Sequence, residues 1–521
     1  MPTPRRGRRA VLALAALAAG AALASPGAGA STVPLPGADP ATVGAWAPPQ
    51  EWPTQAIHAA VLPTGKVLAY GSNAAATLWD PATGATRPVP IPGTDDMVCS
   101  GMAMLADGRL LLNGGHAQSG AELWNGHAVT WLFDPFTETW TRGADMKDGR
   151  YYPAAITLGD GSVLASNGND DGGEDPYTTE RWNGTTWERL PGTPPRMEFY
   201  PRLHVLPDGR VVSAGQDPNA MLLDPATGAW TVGPRSEAGR RWGGASVLLP
   251  GLDKVLVFGG GNAGFSSEGH GGVPLLRDPA ELIVNNHFEA VSDGPDPGTR
   301  SAEILDLSGA APAYRPVGPM AYPRRDLSGV LLADGNVLAL GGSVGYEPLP
   351  GWADYTFHPE LFDLKTETWS LMAPAARTRG YHSTGLLLPD GRVLFAGGDF
   401  ELARDGSLPL TNTGEVYSPA YLFRGPRPVI ASAPPAVAYG ERFSVRKTGP
   451  KVARAALVRL AATTHSLNTD QRWVGLTVEE AGDLLHLQAP AGGNAAPPGY
   501  YMLFLLSEAG VPSVSSIVHV G

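Results

Sequence analysis

Four side chains with useful chemistry stand at the same distance from a recurring Asp-Gly turn. Cys99, Tyr152, Tyr200 and His382 each lie eight residues before the aspartate of such a turn, and Tyr381 directly precedes His382. Cys99 is the only cysteine of the chain. Imidazole is a good ligand of transition metals, and a bound cation favours the phenolate form of a nearby tyrosine. The spacing therefore predicts a metal site.

Each of these residues also has a purely structural interpretation. An aromatic side chain at the inner end of a strand often packs while its polar tip finds a hydrogen bond. A single cysteine is often a buried small hydrophobe. The packing interpretation is kept for Tyr200. For the other residues, their joint occurrence with the only cysteine favours chemistry.

A repeat that occurs seven times positions these side chains. Its pattern is an apolar strand, an Asp-Gly turn or a substitute, a second apolar strand, and Gly-Gly or a substitute. The copies begin at Ala59, Gly101, Ala154, Arg202, Ala245, Ser328 and Ser383. Most are followed by a second strand-turn-strand signal, such as WLFDPFTETWTRG, so each unit supplies two hairpins. The pattern predicts an all-β chain with a seven-bladed kelch-type β-propeller.

The common register of the four residues has a spatial meaning in a propeller. The innermost strand of each blade lines the central axis, so equal offsets from the turn place residues at equivalent points around one ring. Cys99 and Tyr152 belong to consecutive copies of the repeat. We therefore expect these two side chains to be neighbours at the mouth of the central channel.

The repeats end near Arg427, and the strands that follow lack the signature. They predict a C-terminal immunoglobulin-like β-sandwich over 428–521, after a lead-in segment over 31–50 and a propeller over 51–427. About 80 residues separate the fifth and sixth copies, against roughly 40 to 55 elsewhere. The excess, Asn262 to Thr299, is predicted to be a long loop over one face.

The first thirty residues have the pattern of a signal peptide. Four arginines precede an Ala/Leu-rich run of about 15 residues, and Ala28-Gly29-Ala30 offers a cleavage site. The run is shorter than the roughly 20 residues that span a bilayer. We expect secretion, by the general or the twin-arginine route. Removing residues 1–30 would move the formal net charge from −12 to −16, which argues against nucleic acid or an anionic membrane as a partner.

Five motifs in order resemble the galactose oxidase–glyoxal oxidase family of copper-radical oxidases. They are DMVCSGMAMLADG, GRYYPAAITLGDG, RGYHSTGLLLPDG, THSLNTDQR and PGYYMLFLLSEAGVPSV. The likeness covers both the propeller and the sandwich, nearly all of the chain after residue 30. It implies one copper ion per chain bound by Tyr152, Tyr381, His382 and His465. It also implies a thioether that joins Cys99 to Tyr152 as a protein-derived cofactor.

The resemblance implies a secreted oxidase that converts a primary alcohol or aldehyde with O2 and releases H2O2. Tyr381 would take the alcohol proton, and the Tyr152–Cys99 radical would store the second electron that one copper ion cannot accept. The substrate class stays open among small alcohols, aldehydes and carbohydrates, because the segments around Gly172–Thr179 and Asn262–Thr299 would shape the pocket. The alternative is a non-catalytic kelch propeller that binds a glycan or protein partner. A hydrolase with paired carboxylates is weaker, because Asp326 is the only acid at the shared register.

The chain departs from the family pattern in places that leave questions. Galactose oxidase stacks a tryptophan on its cross-linked tyrosine, and the matching position here is Asp170. Trp242 is the candidate replacement, with core packing as the alternative. Tyr151 directly precedes Tyr152, so a slip of one residue would exchange their roles.

Two neighbouring arginines also carry an open question. Arg324 and Arg325 precede the sixth inner strand. They could bind a carboxylate or polyol substrate. Alternatively, they form ion pairs within the propeller or at its solvated surface.

Overall fold

The computed structural model describes residues 39–117, 125–261, 298–344, 355–399 and 412–521. These residues form short β-strands, one four-residue helix at Pro40–Val43 and a 3-10 turn at Ala420–Phe423. Nowhere in the described ranges is there a helix with the length and apolar character that crossing a bilayer requires. The predicted signal peptide and most of the predicted long loop, residues 262–297, lie outside the described residues.

Seven small antiparallel sheets follow one another in the described part of the chain, one for each copy of the repeat. From the innermost strand outward they comprise His58–Val61, Val67–Tyr70, Ala76–Trp79 and Thr86–Pro88; Gly101–Met104, Leu110–Asn113, Thr130–Asp134 and Thr139–Arg142; Ala154–Thr157, Val163–Ser166, Thr179–Trp182 and Trp187–Arg189; Leu203–Val205, Val211–Ser213, Asn219–Asp224 and Ala229–Arg235; Ala245–Leu248, Lys254–Phe258, Ala302–Asp306 and Ala313–Val317; Arg325–Leu331, Val337–Ser343, Glu360–Asp363 and Thr368–Leu371; and Ser383–Leu387, Val393–Gly397 and Thr413–Ser418.

Tight turns join the two inner strands of each sheet. In the second sheet, the Asp107 side chain accepts a hydrogen bond from the Arg109 N–H at 3.0 Å, and Gly108 has a φ of +89°. Glycine tolerates that left-handed conformation without steric cost. The inner strands are buried on both faces, which is why their sequences are continuous apolar runs rather than alternating ones.

The beginning of the chain completes the last sheet. Ala45–Trp46 and Gln50–Glu51 both pair with Thr413–Ser418. The segment predicted as a lead-in to the first sheet thus also adds outer strands to the seventh. The innermost strands of the seventh and first sheets also contact each other. The arrangement confirms the predicted propeller class and is consistent with seven blades.

The C-terminal strands form two further sheets, as the predicted sandwich requires. One contains Val429–Ser432, Arg442–Thr448, Leu484–Gln488 and Val478–Ala481, and the other Ala436–Val437, Ser516–Val520, Gly499–Ser507, Val452–Arg459 and Trp473–Leu476. They enclose their own apolar core, which includes Phe443, Leu457 and Leu503.

A hairpin from this C-terminal region reaches the propeller. Its first strand, Ala462–Thr464, pairs with His58–Val61, and its second strand, Leu467–Thr469, pairs with the first, so the hairpin extends the first propeller sheet. The C-terminal chain thereby adds strands next to an innermost strand of the propeller. This pairing brings the tip of the hairpin, which includes His465, to the hub, the central region of the propeller where the innermost strands begin.

Candidate metal centre

The predicted ring of equivalent residues has a common backbone conformation. Six residues at the start of inner strands have φ between +52° and +68°: Cys99, Tyr152, Tyr200, Gly243, Asp326 and His382. A positive φ is uncommon for residues other than glycine and persists only where the surroundings enforce it. The N–H of Tyr152 donates to the Cys99 carbonyl at 3.0 Å, and the N–H of Tyr200 donates to the Tyr152 carbonyl at 3.0 Å. These bonds join successive sheets around the hub.

The five residues predicted to form the site lie together. The Sγ atom of Cys99 is 3.4 Å from Nε2 of His465 and 3.9 Å from Nε2 of His382. Cys99 and Tyr152 pack in one buried cluster. The hydroxyl groups of Tyr152 and Tyr381 contact each other directly. Two imidazoles, two phenols and one thiol thus converge on one point.

His465 sits at the tip of the C-terminal hairpin. His465 and Ser466 both have positive φ, +47° and +65°, as a two-residue turn between antiparallel strands requires. Thr464 donates its hydroxyl proton to the Ile57 carbonyl at 2.9 Å, so its oxygen accepts from Nδ1 of His465 at 2.5 Å. Burial, together with the positive charge of His382, holds the pKa of His465 well below its usual value. The ring is therefore neutral, and Nε2 presents a lone pair to the site.

His382 is oriented in a similar way by a carboxylate. Its Nδ1 lies 2.7 Å from Oδ1 of Asp399, which leaves Nε2 facing the same point as Nε2 of His465. Burial acts to lower the pKa of His382, but the Asp399 hydrogen bond and the Cys99 contact outweigh it and raise the pKa to about 10. Such a carboxylate commonly fixes the tautomer and angle of a metal-binding histidine.

The ring stacked on Tyr152 belongs to Phe199, which the sequence did not indicate. The centroids of Tyr152 and Phe199 are 5.2 Å apart and their planes differ by 21°. Trp242, the candidate for this place, lies with its ring centroid 6.4 Å from that of Tyr381, and the Arg325 guanidinium covers it at 4.8 Å. Burial raises the pKa of Tyr152 well above its usual value in the absence of a cation.

Of the adjacent residues Tyr151 and Tyr152, the one at the shared register, Tyr152, faces Tyr381. Tyr152 makes the contact with Tyr381, whereas Tyr151 packs edge-on against Tyr152 with a centroid distance of 4.4 Å. Tyr200 donates its hydroxyl proton to the Ser100 carbonyl at 3.0 Å, as its packing interpretation expects. Asp170 accepts from the N–H groups of its own turn.

The two arginines differ in their surroundings. Arg324 is fully buried and pairs with Glu360 at 2.7 Å, which matches the interpretation as an ion pair within the propeller. Arg325 is also buried, lies over Trp242 and approaches Asp326 at 3.4 Å. Arg325 is therefore the arginine of the two that borders the walls of the site.

A pocket opens beside the two phenols. Its lining includes Phe199, Trp242, Asp326 and Tyr381. Aromatic faces dominate this lining, and Asp326 supplies a carboxylate. A small organic molecule with a polar end suits such a pocket.

Several residues that support the site were missed from the sequence. Asp399, Thr464 and Phe199 are described above, and Arg202 donates to the His465 carbonyl at 3.0 Å. One of them carried a usable signal. Asp399 follows the Gly-Gly of its repeat, and pairing of Ser383 with Gly397 places the residue after Gly398 beside His382.

The residues present fit a single metal ion. Both Nδ1 atoms are occupied by second partners, both Nε2 atoms face the site, and the two phenol oxygens lie together. Imidazole and phenolate donors suit copper. Fold and donors together define a β-propeller with a candidate mononuclear metal centre, completed by a C-terminal sandwich.

Comparisons with known proteins agree with this class. The galactose oxidase-like early set domain matches residues 427–520. Galactose oxidase of Gibberella zeae is 28% identical over 94% of this chain and 72% of that protein. Aldehyde oxidase GLOX of Vitis pseudoreticulata is 29% identical over 88% of each chain. A fungal alcohol oxidase solved in complex with copper superposes with a TM-score of 0.76 at 25% identity, over 92% of this chain and all of that one.

These matches cover the propeller and the sandwich together. Over both regions the chain is similar to galactose oxidase, to aldehyde oxidase GLOX and to the copper-bound alcohol oxidase.

Proposed function

We propose that this chain is a copper-radical oxidase that oxidises a primary alcohol or an aldehyde with O2 and releases H2O2. The observation that carries the proposal is the convergence of two imidazole Nε2 atoms, two phenols and the only cysteine at the hub. The similarity to galactose oxidase, an aldehyde oxidase and a copper-bound alcohol oxidase supports the same activity.

His382, His465, Tyr152 and Tyr381 would hold the copper ion, and Cys99 would be joined to the Tyr152 ring. Copper would supply one of the two redox equivalents that oxidation of an alcohol requires. Tyr381 accepts the proton of the alcohol hydroxyl at its phenolate oxygen. The cross-linked Tyr152 would take the hydrogen atom from the adjacent carbon, and O2 would accept the two electrons and two protons and leave as H2O2.

The residues that line the pocket determine how a substrate binds before it reacts. Phe199 and Trp242 supply apolar faces, and Asp326 can accept a hydrogen bond from a hydroxyl group. The burial of the Tyr152 ring keeps bulk water from the radical. A neutral molecule that carries a primary hydroxyl or a hydrated aldehyde fits this environment.

The test is O2 consumption and H2O2 formation by the copper-loaded protein across a panel of alcohols, aldehydes and sugars. Tyr381→Phe removes the proton acceptor and should abolish turnover. Tyr417→Phe is the matched control, since this buried hydroxyl donates to the Val43 carbonyl in the outer part of the seventh sheet. A copper-loaded protein that binds a polysaccharide or protein but consumes no O2 with any substrate would favour the binding module instead.

We also propose that residues 1–30 direct export and are removed. The mature protein would then consist of a propeller over 51–427 and a sandwich over 428–521 that act as one unit, because His465 lies on a hairpin from the C-terminal region. N-terminal sequencing of secreted protein tests the cleavage site.

A further inference from the structure

His58 is a buried histidine that the roles proposed above do not use. It lies on the innermost strand of the first sheet, with no exposed surface. Its Nε2 accepts a hydrogen bond from the backbone N–H of Cys99 at 2.9 Å. Because Nε2 is the acceptor, the ring proton is on Nδ1, and no described residue accepts that proton. The fold therefore keeps a polar ring in the interior at a cost, and its evident partner is Cys99.

The backbone of Cys99 is held on both sides. His58 binds its N–H, and the N–H of Tyr152 binds its carbonyl. The next residue is held as well, because Tyr70 bonds the Ser100 hydroxyl at 2.8 Å and Tyr200 bonds the Ser100 carbonyl at 3.0 Å. The imidazole of His58 also lies parallel to the Tyr70 ring, with a centroid distance of 4.3 Å.

This support matters because Cys99 has a φ of +58°. A cysteine in the left-handed region stays there only when neighbouring groups outweigh the steric cost. The backbone conformation sets the direction of the Cα–Cβ bond, and hence the position of Sγ relative to the Tyr152 ring. Without an acceptor for its N–H, the segment around Cys99 is free to return to an ordinary conformation.

We propose that His58 is a positioning residue for the covalent joining of Cys99 to Tyr152. The inference rests on the proposed function, which supplies the copper and the O2. The thiol S–H and one ring C–H break, and one C–S bond forms. The two protons and two electrons released pass to O2, which gives one H2O2. His58 takes no part in this transfer and acts through the backbone of Cys99.

The test compares two substitutions of equal length and shape. His58→Gln keeps a strong oxygen acceptor for the Cys99 N–H, whereas the thioether of His58→Met is only a weak acceptor. Metal-free protein is loaded with copper anaerobically and exposed to air, and intact mass is followed with time. Formation of the thioether lowers the mass by about 2 Da. We expect wild type and His58→Gln to mature at similar rates, and His58→Met to mature at least about tenfold more slowly, because a misplacement of about 1 Å can slow a reaction by about a hundredfold.

His58→Phe is the second variant, because it preserves the parallel contact with Tyr70 and removes the acceptor. It should mature as slowly as His58→Met, while both retain one tightly bound copper ion per chain. His58→Met or His58→Phe maturing at the wild-type rate would overturn the proposal. His58→Gln maturing as slowly as His58→Met would also overturn it, since the ring and not the acceptor would then matter.

The failure of the proposed function has a different signature. A wild-type protein that binds copper in air without losing mass, and that produces no H2O2, would overturn the oxidase and the positioning role together. A wild-type protein that matures and turns over, but shows no difference between His58→Gln and His58→Met, would overturn only the role of His58.

Discussion

Two neighbouring positions precede the inner strands of the propeller, and they differ sharply in what the chain places there. At the first, four sheets have a buried arginine that pairs with a glutamate on the third strand of the same sheet: Arg150–Glu180, Arg241–Glu303, Arg324–Glu360 and Arg379–Glu415. At the second, two or three residues further on, the side chain changes from sheet to sheet, as in Cys99, Tyr152 and His382.

The difference separates structure from chemistry within one repeat. The arginine–glutamate pairs recur in these four sheets because each attaches its incoming segment to its third strand. Glu360, for example, also accepts from the N–H groups of Ala321 and Tyr322. The second position points to the hub, where the sheets meet and each contributes a different group. In this chain, repetition marks the scaffold, and departure from repetition marks the site.

The largest effect is expected at the second position, from Cys99→Ser. The serine fits the same space but cannot form the thioether, so Tyr152 keeps an ordinary phenol. Turnover should fall by about three orders of magnitude, as when one member of a catalytic unit is removed. Intact mass should stay at the sequence value, and copper binding through His382 and His465 should persist. Undiminished H2O2 production by this variant would remove the cross-link from the proposed function.

The next effect is expected at the first position, from Glu360→Gln. The substitution leaves the fully buried Arg324 without its charge partner. Breaking a buried pair from one side costs about 3–5 kcal/mol, which chemical denaturation would measure. Turnover per folded, copper-loaded chain should not change, because Glu360 does not contact the hub residues described above. A large loss of turnover without a loss of stability would contradict the division between the two positions.

The same contrast explains which parts of the site could be predicted from sequence. The turn aspartates are local signals, so counting from them locates Cys99, Tyr152 and His382. His465 has no repeat to count from, since it lies at a hairpin tip in the C-terminal region. It was predicted through family resemblance alone. Phe199 lies one residue before the shared register, and only the folded structure shows which ring covers Tyr152.

Prediction of the fold from sequence has a similar limit. The seven inner hairpins could be predicted because each contains an apolar run on both sides of a tight turn. The pairing of Ala45–Trp46 with Thr413–Ser418 could not, because a two-residue strand has no periodicity of its own. Its partner lies more than 360 residues away, and such pairings depend on the closure of the whole ring.

Asp399→Asn should have an intermediate effect on the metal. The carboxylate holds Nδ1 of His382 at 2.7 Å, and loss of such a partner typically lowers metal affinity by about 10–100-fold. Competition with a copper chelator measures this change. Asp170→Asn is the matched control, because that carboxylate caps its own turn. Equal affinities for wild type and Asp399→Asn would show that His382 is positioned by its strand alone.

Phe199→Leu should weaken the protection of Tyr152. An aromatic contact of this kind contributes about 0.5–1.5 kcal/mol beyond burial, so the stored radical should decay a few-fold faster. The decay of its optical absorption after oxidation gives the rate. Trp242→Leu tests the other aromatic neighbour, which lies against Tyr381. If the tryptophan variant loses the radical faster than the phenylalanine variant, Trp242 is the principal shield.

The smallest effect is expected from Glu479→Gln, which repeats the chemistry of Glu360→Gln on the surface of the sandwich. Glu479 contacts Arg442, and the two side chains are 64% and 58% exposed. Water already solvates both charges, so the pair contributes no more than about 1 kcal/mol, and raised salt should reduce even that. The same denaturation measurement applies to both variants. If the surface variant lost as much stability as Glu360→Gln, burial would not be the reason that the arginine–glutamate pairs stabilise the propeller, and their recurrence would need another cause.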